Sequence, residues 1–143
     1  MTYRYLPSFG LRVLQLVILL ESLIRGIAYI VSPIGVPSAT DITASAPLGV
    51  WGVAFTAFAV LGFFGEALMS GTSPDIRSGG GNPRAWPSFI AHAGLMILYL
   101  TMFVGYGGAV IDGDLALAAA PGAMLTFAFL HWLFARRRKH HAT

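Results

Sequence analysis

Residues 9–31 read FGLRVLQLVILLESLIRGIAYIV, an apolar stretch of membrane-spanning length that contains an embedded acid and an embedded base. A helix of about 20 apolar residues crosses the roughly 30 Å hydrocarbon core of a bilayer. Glu21 and Arg25 are four residues apart, so both lie on one face of such a helix. Because a charge at the bilayer centre costs about 2.5–3.5 kcal/mol, we expect this face to point into a helix bundle.

Three further apolar stretches occupy most of the remaining chain, which has 143 residues. Hydrophobic residues make up 56% of the sequence and charged residues 10%, and the mean hydropathy is +0.72. A soluble chain of this length would need more polar surface. We therefore predict an all-α integral membrane protein, a single transmembrane domain over residues 1–143 that forms an antiparallel bundle of four transmembrane helices. The predicted spans are residues 9–31, 48–69, 86–111 and 115–135, followed by a basic cytoplasmic tail over residues 136–143.

The first span resembles a signal peptide, since Arg4 precedes it and Ala44-Ser45-Ala46 has the form of a cleavage site. However, charged residues interrupt its apolar run, and the candidate cleavage site lies well beyond the end of that run. We predict that the segment is retained as a membrane span.

The positions of the basic residues predict the orientation in the membrane. With the N-terminus in the cytoplasm, no base falls in an outer connection, which satisfies the positive-inside rule. The abundance of Ala and Gly, and of Arg over Lys, favours a bacterial source. We predict a multi-pass protein of the bacterial inner membrane with both termini in the cytoplasm. The inner side then carries Arg4, Arg77, Arg84, Arg136, Arg137, Arg138 and Lys139, and the outer connections carry Asp41, Asp112 and Asp114.

Three hypotheses apply to the pair in the first span. It is a structural ion pair that fixes the rotation of the helix, it lines or gates a polar path, or Arg25 snorkels to the outer headgroups. A structural pair is the preferred interpretation. The face with helical spacing around it is predicted to comprise Leu14, Ile18, Glu21, Arg25, Ala28 and Ser32.

Glu66, His92 and His131 form a second candidate group near the cytoplasmic boundary. At 1.5 Å per helical residue they lie roughly 5, 9 and 6 Å inside that boundary. Such a set could serve as a proton relay, a zinc site, or two histidine ligands of a b-type haem. No single helix carries a His-x-x-x-His or Glu-x-x-His pair, so interfacial anchoring is the preferred interpretation, and we expect no resident cofactor.

Small residues recur at four-residue spacing on the last two spans, which lets helix backbones approach closely in lipid. We predict that these two stripes pack against each other, or alternatively that they form a homo-oligomer interface. Pro121 is predicted to kink the fourth span. The stripes are Thr101, Gly105 and Ala109 on the third span and Ala118, Gly122 and Thr126 on the fourth.

The basic tail is predicted to anchor the protein at the membrane surface. Arg136, Arg137, Arg138 and Lys139 follow the last span directly, where they attract anionic lipid. The bilayer, another membrane protein or a second copy are the expected partners, and nucleic acid is not. Gly79-Gly80-Gly81 is predicted to be a linker, because no Gly-Lys-Ser/Thr follows it. The sequence contains no catalytic arrangement of residues, so we predict a non-enzymatic protein.

The layout of the chain resembles small four-pass membrane proteins encoded by actinobacterial phages and prophages. This resemblance implies a phage setting with a role in host lysis or envelope modification, and it implies no catalytic residue. The shared features are Glu21, Arg25-Gly26, Pro47-Leu48-Gly49-Val50-Trp51-Gly52-Val53, Trp86-Pro87, Ala91-His92-Ala93 and His131-Trp132.

Three functions are therefore expected from the sequence, in order of preference. The first is a holin-like, lysis-associated or envelope-modifying membrane protein. The second is a superinfection-exclusion factor or regulatory membrane partner. The third is a four-helix bundle that conducts protons or carries a haem or metal.

Overall fold

Four long helices build the structure, a computed structural model that describes residues 8–32, 46–70 and 82–142. Each helix is long and apolar enough to cross a membrane, and the described residues contain no strand. The predicted all-α four-helix bundle is confirmed. The helices are α1 (Ser8–Val31), α2 (Leu48–Ser70), α3 (Trp86–Ile111) and α4 (Ala120–Ala142), with short 3-10 turns at Pro83–Ala85 and Leu115–Leu117.

Some sequence predictions fall outside the described residues. They concern the linker glycines, the body of the candidate cleavage site and several charged residues of the connections. These positions are Gly79, Gly80, Gly81, Ala44, Ser45, Arg4, Arg77 and Asp41.

Consecutive helices run antiparallel, because residue numbers fall on one helix as they rise on its neighbour. Contact is extensive between α1 and α2, between α2 and α3 and between α3 and α4, and it is sparse between α1 and α4. The pairs that fix this order are Gly26 with Thr56, Leu19 with Gly62, Gly65 with Ser88, Phe58 with Gly94, His92 with His131 and Tyr99 with Phe127.

Glycines bring these helices into close contact. A Cβ atom added at Gly26 would lie 2.7 Å from the backbone nitrogen of Thr56, and one at Gly65 would lie 2.5 Å from that of Ser88. Real side chains do not approach a backbone so closely. The α1–α2 and α2–α3 crossings therefore depend on small residues, as is common for helices packed in lipid.

The distribution of polarity is the reverse of that in a soluble domain. Large apolar side chains cover the outside, with Phe64, Ile97 and Val104 all more than half exposed. An apolar surface of this extent is a liability in water and suits contact with acyl chains. The buried polar residues are Gln15, Ser22, Glu66, Ser88, His92 and His131.

The fourth helix differs from its prediction at both ends. It begins at Ala120, so Pro121 lies in the first turn, where its missing N–H is not needed, and the predicted kink is wrong. The apolar span starts at Leu115, as predicted, but its first residues, Leu115–Leu117, form a 3-10 turn before α4. The helix then continues through the basic tail to Ala142.

The two small-residue stripes are not brought together. Gly105 is buried, but Gly122 and Thr126 are exposed, and a Cβ on Gly122 would meet no atom within 4 Å. Helix α4 instead turns its histidine and aromatic face toward α3, as the stacking of His131 and Phe127 on Tyr99 shows. The prediction that the stripes pack against each other is therefore wrong. Thr101 and Ala109 are half-buried, and Ala118 is exposed.

Candidate functional site

A connected network of hydrogen-bonded polar side chains from all four helices runs along the interior of the bundle, with Ser88 as a side branch at Glu66. We call this network the polar path. It consists of Arg138, Glu66, Ser88, Gln15, His92, His131, Ser22, Tyr99, Glu21 and Arg25.

One end of the polar path is a buried carboxylate with a full set of donors. Arg138 Nη2 lies 2.5 Å from Glu66 Oε2. Ser88 Oγ donates to Oε1 at 2.6 Å, and Gln15 Nε2 donates to the same oxygen at 2.7 Å. A buried charge is costly unless it is paired and hydrogen-bonded, and both conditions are met for Glu66.

The orientation of the Gln15 amide is set by its two neighbours of opposite charge. Its Nε2 must face the Glu66 carboxylate, which only accepts, and its Oε1 faces Arg138 Nη2 at 3.2 Å, which only donates. The same Nε2 lies 2.8 Å from His92 Nε2. Because the amide nitrogen has no lone pair to offer, His92 Nε2 is the acceptor and the ring carries its proton on Nδ1.

The two histidines are hydrogen-bonded directly to each other. His92 Nδ1 and His131 Nδ1 lie 2.8 Å apart, so the His92 proton is donated and His131 carries its own proton on Nε2. That nitrogen lies 3.3 Å from Ser22 Oγ. In this arrangement both rings are neutral, and both are fully buried. His131 stacks on Tyr99 at 5.4 Å between ring centroids.

The other end of the polar path is the charged pair of the first helix. The Tyr99 hydroxyl donates to Glu21 Oε2 and lies 3.0 Å from Ser22 Oγ. Arg25 donates to Glu21 Oε1 through Nε at 3.0 Å and through Nη2 at 2.5 Å, and its Nη1 reaches the Tyr29 hydroxyl at 3.4 Å. The predicted ion pair thus has the expected contact, and Arg25 turns to Glu21 and not to the headgroups.

The α1 members of the polar path cover about half the thickness of a bilayer core. From Gln15 to Arg25, α1 rises about 15 Å, against a hydrocarbon core of about 30 Å. A surface cleft lies at each end. One, of about 210 Å³, is bordered by Arg12, Glu66 and Arg138, and the other, of about 440 Å³, is bordered by Glu21 and Arg25.

The structure brings the predicted group of Glu66, His92 and His131 together. The carboxylate reaches His92 through Gln15, and His92 contacts His131 directly. Interfacial anchoring of the histidines is wrong, because neither ring has any exposed surface.

The geometry of the histidines fits a relay better than a metal site. Two nitrogens bound to one tetrahedral zinc at about 2.0–2.1 Å lie about 3.4 Å apart, whereas these two share a proton at 2.8 Å. Over the described ranges, no group of three or more His, Cys, Asp or Glu side chains has a geometry that could hold a metal ion.

The basic tail is divided between two environments. Arg138 turns inward to Glu66, so its role as a surface anchor is wrong. Arg136 lies over the Trp132 ring at 5.6 Å, and Arg137 borders the cleft beside Glu66. Arg136, Arg137 and Lys139 are exposed, as a membrane-surface position requires.

Sequence reasoning missed Gln15, Ser22 and Ser88, three uncharged members of the polar path. The signal was present in α1, where Gln15 and Ser22 recur at helical spacing with Ile18 and Gly26 on the buried face. The predicted face was rotated by about one residue, because it was centred on the charged pair.

Comparisons with protein-family models, with curated proteins and with solved structures find no match for this chain.

Proposed function

We propose that this membrane protein transfers protons along the polar path between its two clefts. The observation that supports this most strongly is the direction of the hydrogen bonds. His92, His131 and Tyr99 each donate toward Glu21. Ser22 has one hydrogen, which it donates to the Ile18 carbonyl at 2.9 Å. Since the Tyr99 hydrogen is donated to Glu21, transfer requires the Ser22 hydroxyl to rotate its hydrogen toward the Tyr99 oxygen, 3.0 Å away.

A proton moves through this series by successive hops. Tyr99 gives its proton to the Glu21 carboxylate, and Ser22 replaces it. His131 Nε2 then supplies Ser22, His92 Nδ1 supplies His131 Nδ1, and His92 takes up a new proton on Nε2. The net change is one proton gained at His92 and one carried by Glu21, which then releases it into the cleft it shares with Arg25. Histidine suits such a role because it gains and loses protons near neutral pH.

The entry of a proton is controlled by Gln15. The Gln15 amide donates a hydrogen bond to His92 Nε2, but it does not transfer that proton to the ring. The amide also lies between this nitrogen and Glu66. A proton from the Glu66 side therefore enters only when Gln15 moves aside. Proton transfer is then intermittent, so the protein does not continuously dissipate the proton gradient of an energised membrane.

Proton flux into liposomes with an internal pH-sensitive dye tests the proposal. Ser22→Ala removes the link between His131 and Tyr99, and Ser32→Ala is its matched control, because Ser32 also bonds a carbonyl of its own helix but lies outside the polar path. We expect Ser22→Ala to reduce the flux by at least about tenfold, and Ser32→Ala to leave it unchanged. Wild-type liposomes no more permeable to protons than empty ones would end the proposal.

A second candidate function is supported by the outward face of α4. Gly122 and Thr126 of α4, and Ala118 just before this helix, are exposed, with open space above Gly122. Small exposed residues of this kind suit helix association in lipid. This supports the holin-like or envelope-modifying role that the phage resemblance implies, or a regulatory role toward another membrane protein, in a bacterial inner membrane.

Inducible expression in a bacterial host separates these roles. A holin-like protein causes abrupt loss of membrane potential at a defined time, and Gly122→Leu abolishes it by blocking association. Continued growth with altered phage sensitivity supports a regulatory or exclusion role. Continued growth with normal sensitivity contradicts both.

A further inference from the structure

The cleft at the Glu66 end carries an excess of positive charge. Arg12 of α1 and Arg137 and Arg138 of α4 border it, and Glu66 is the acid among its described lining residues. Arg138 already pairs with Glu66. Within the described part of the chain, Arg12 and Arg137 form no ion pair, so two positive charges remain without a counter-charge.

We propose that this cleft is a binding site for the phosphate group of an anionic phospholipid. Its volume of about 210 Å³ leaves room for a tetrahedral anion with several waters. Guanidinium groups are suited to this ligand, because their planar N–H groups bind phosphate oxygens in pairs. Arg12 and Arg137 approach from different helices and would bind the phosphate from two sides.

The position of the cleft favours a lipid over a free anion. Arg12 lies three residues, or about 4.5 Å, beyond Phe9 at the start of the apolar stretch, and Arg137 lies two residues beyond Ala135, the last residue of the apolar part of α4. Exposed apolar side chains lie within one helical turn of each arginine, Val13 and Leu16 beside Arg12 and Leu133 beside Arg137. They offer a surface for acyl chains whose phosphate is held between the two guanidinium groups.

Arg136 is a control for non-specific electrostatic attraction between the basic tail and anionic lipid. Arg136 adjoins Arg137 and carries the same charge, but it lies over the Trp132 ring and does not border the cleft. General attraction of the basic tail to anionic lipid predicts equal effects of Arg136→Gln and Arg137→Gln. A site built around the cleft predicts that only the second matters, together with Arg12→Gln.

Native mass spectrometry of the full chain in detergent measures this directly. The probes are dilauroyl phosphatidylglycerol, dilauroyl phosphatidylcholine and inorganic phosphate. We expect one phosphatidylglycerol to bind, with an apparent Kd raised about tenfold by Arg12→Gln and by Arg137→Gln and unchanged by Arg136→Gln. Arg12→Lys, which keeps the charge and loses the paired donors, is expected to weaken binding less than Arg12→Gln.

Three results would overturn the site. They are equal binding of phosphatidylcholine, an equal loss in Arg136→Gln, and binding of inorganic phosphate without binding of the lipid. The melting temperature of each variant in detergent without lipid shows whether the variant is folded. Because neither Arg12 nor Arg137 has an ion pair with any residue that the structure describes, both Gln variants are expected to melt at the same temperature as the wild-type protein.

Discussion

Gln15 lies between a carboxylate and an imidazole, and its amide neither gains nor loses a proton. In Gln15→Ala the vacated space is polar and can hold a water that bridges Glu66 and His92. Such a water transfers protons where the amide does not. We therefore expect Gln15→Ala to raise the proton flux in liposomes several-fold, while Leu16→Ala, on the exposed face of α1, does not. A lower flux in Gln15→Ala would show that the amide assists transfer instead of limiting it.

The Glu21–Arg25 ion pair is expected to make the effects of substituting its two residues depend on each other. Its side chains retain about a quarter or less of their exposure, and each neutralises a charge that the membrane disfavours. Glu21→Gln and Arg25→Leu should each leave the partner's charge uncompensated, so the double variant should be more stable than the sum of the two losses predicts. We expect a coupling energy of about 0.5–3 kcal/mol from unfolding in mixed micelles. Additive losses would mean that the two residues act separately.

Single residues also show what the sequence reveals and what it does not. The separation of four positions placed Glu21 and Arg25 on one face, and their contact followed. The polar path was not predictable in the same way, because Ser88 and Gln15 acquire their role only from Glu66, which comes from a different helix. An uncharged polar residue in an apolar run can have several roles, such as a hydrogen bond to its own helix or a contact with another helix. Only the packing of the helices shows which role it has.

At the scale of the helices, some glycines allow two helix backbones to come close together, and others face open space. Gly26 faces the Thr56 backbone, whereas Gly122 faces open space. We expect Gly26→Ala to destabilise the protein by about 1–3 kcal/mol because α1 and α2 must separate. Gly122→Ala, the matched control, should be neutral or stabilising by about 0.5–1 kcal/mol, as Ala replaces Gly in a helix. Unfolding in mixed micelles measures both, and a Gly26→Ala variant as stable as the wild type would contradict the crossing.

The predicted helix boundaries were accurate where apolar runs end at polar or turn residues. The first three helices begin and end within one residue of their predicted limits. The fourth was not predictable from hydropathy alone, since residues 115–119 are as apolar as the helix that follows. Pro121 was the signal, because proline is favoured in the first turn of a helix and disfavoured inside one. Helix rotation was harder still, which is why the small-residue stripes were assigned to the wrong contact.

For the whole molecule, the antiparallel order of four helices places the start of α1 and the end of α4 at the same end of the bundle. The basic residues at that end predict the cytoplasmic side. The chain has no cysteine, so single substitutions give clean labelling with a membrane-impermeant thiol reagent. We expect Thr143→Cys to be protected in intact cells and Asp114→Cys, in the turn between α3 and α4, to be labelled. Labelling of Thr143→Cys from outside would reverse the orientation.

The molecule as a whole is built with its polar groups inside and its apolar groups outside. Helices α1, α3 and α4 meet in one hydrogen-bonded series through His92 and His131. Nitrogen-15 NMR of histidine-labelled protein in lipid tests this most directly. We predict neutral rings, with the proton of His92 on Nδ1 and that of His131 on Nε2, and a coupling between the two Nδ1 nuclei that His131→Asn abolishes. Two rings each protonated on Nε2, with no coupling between them, would contradict the polar path at its centre.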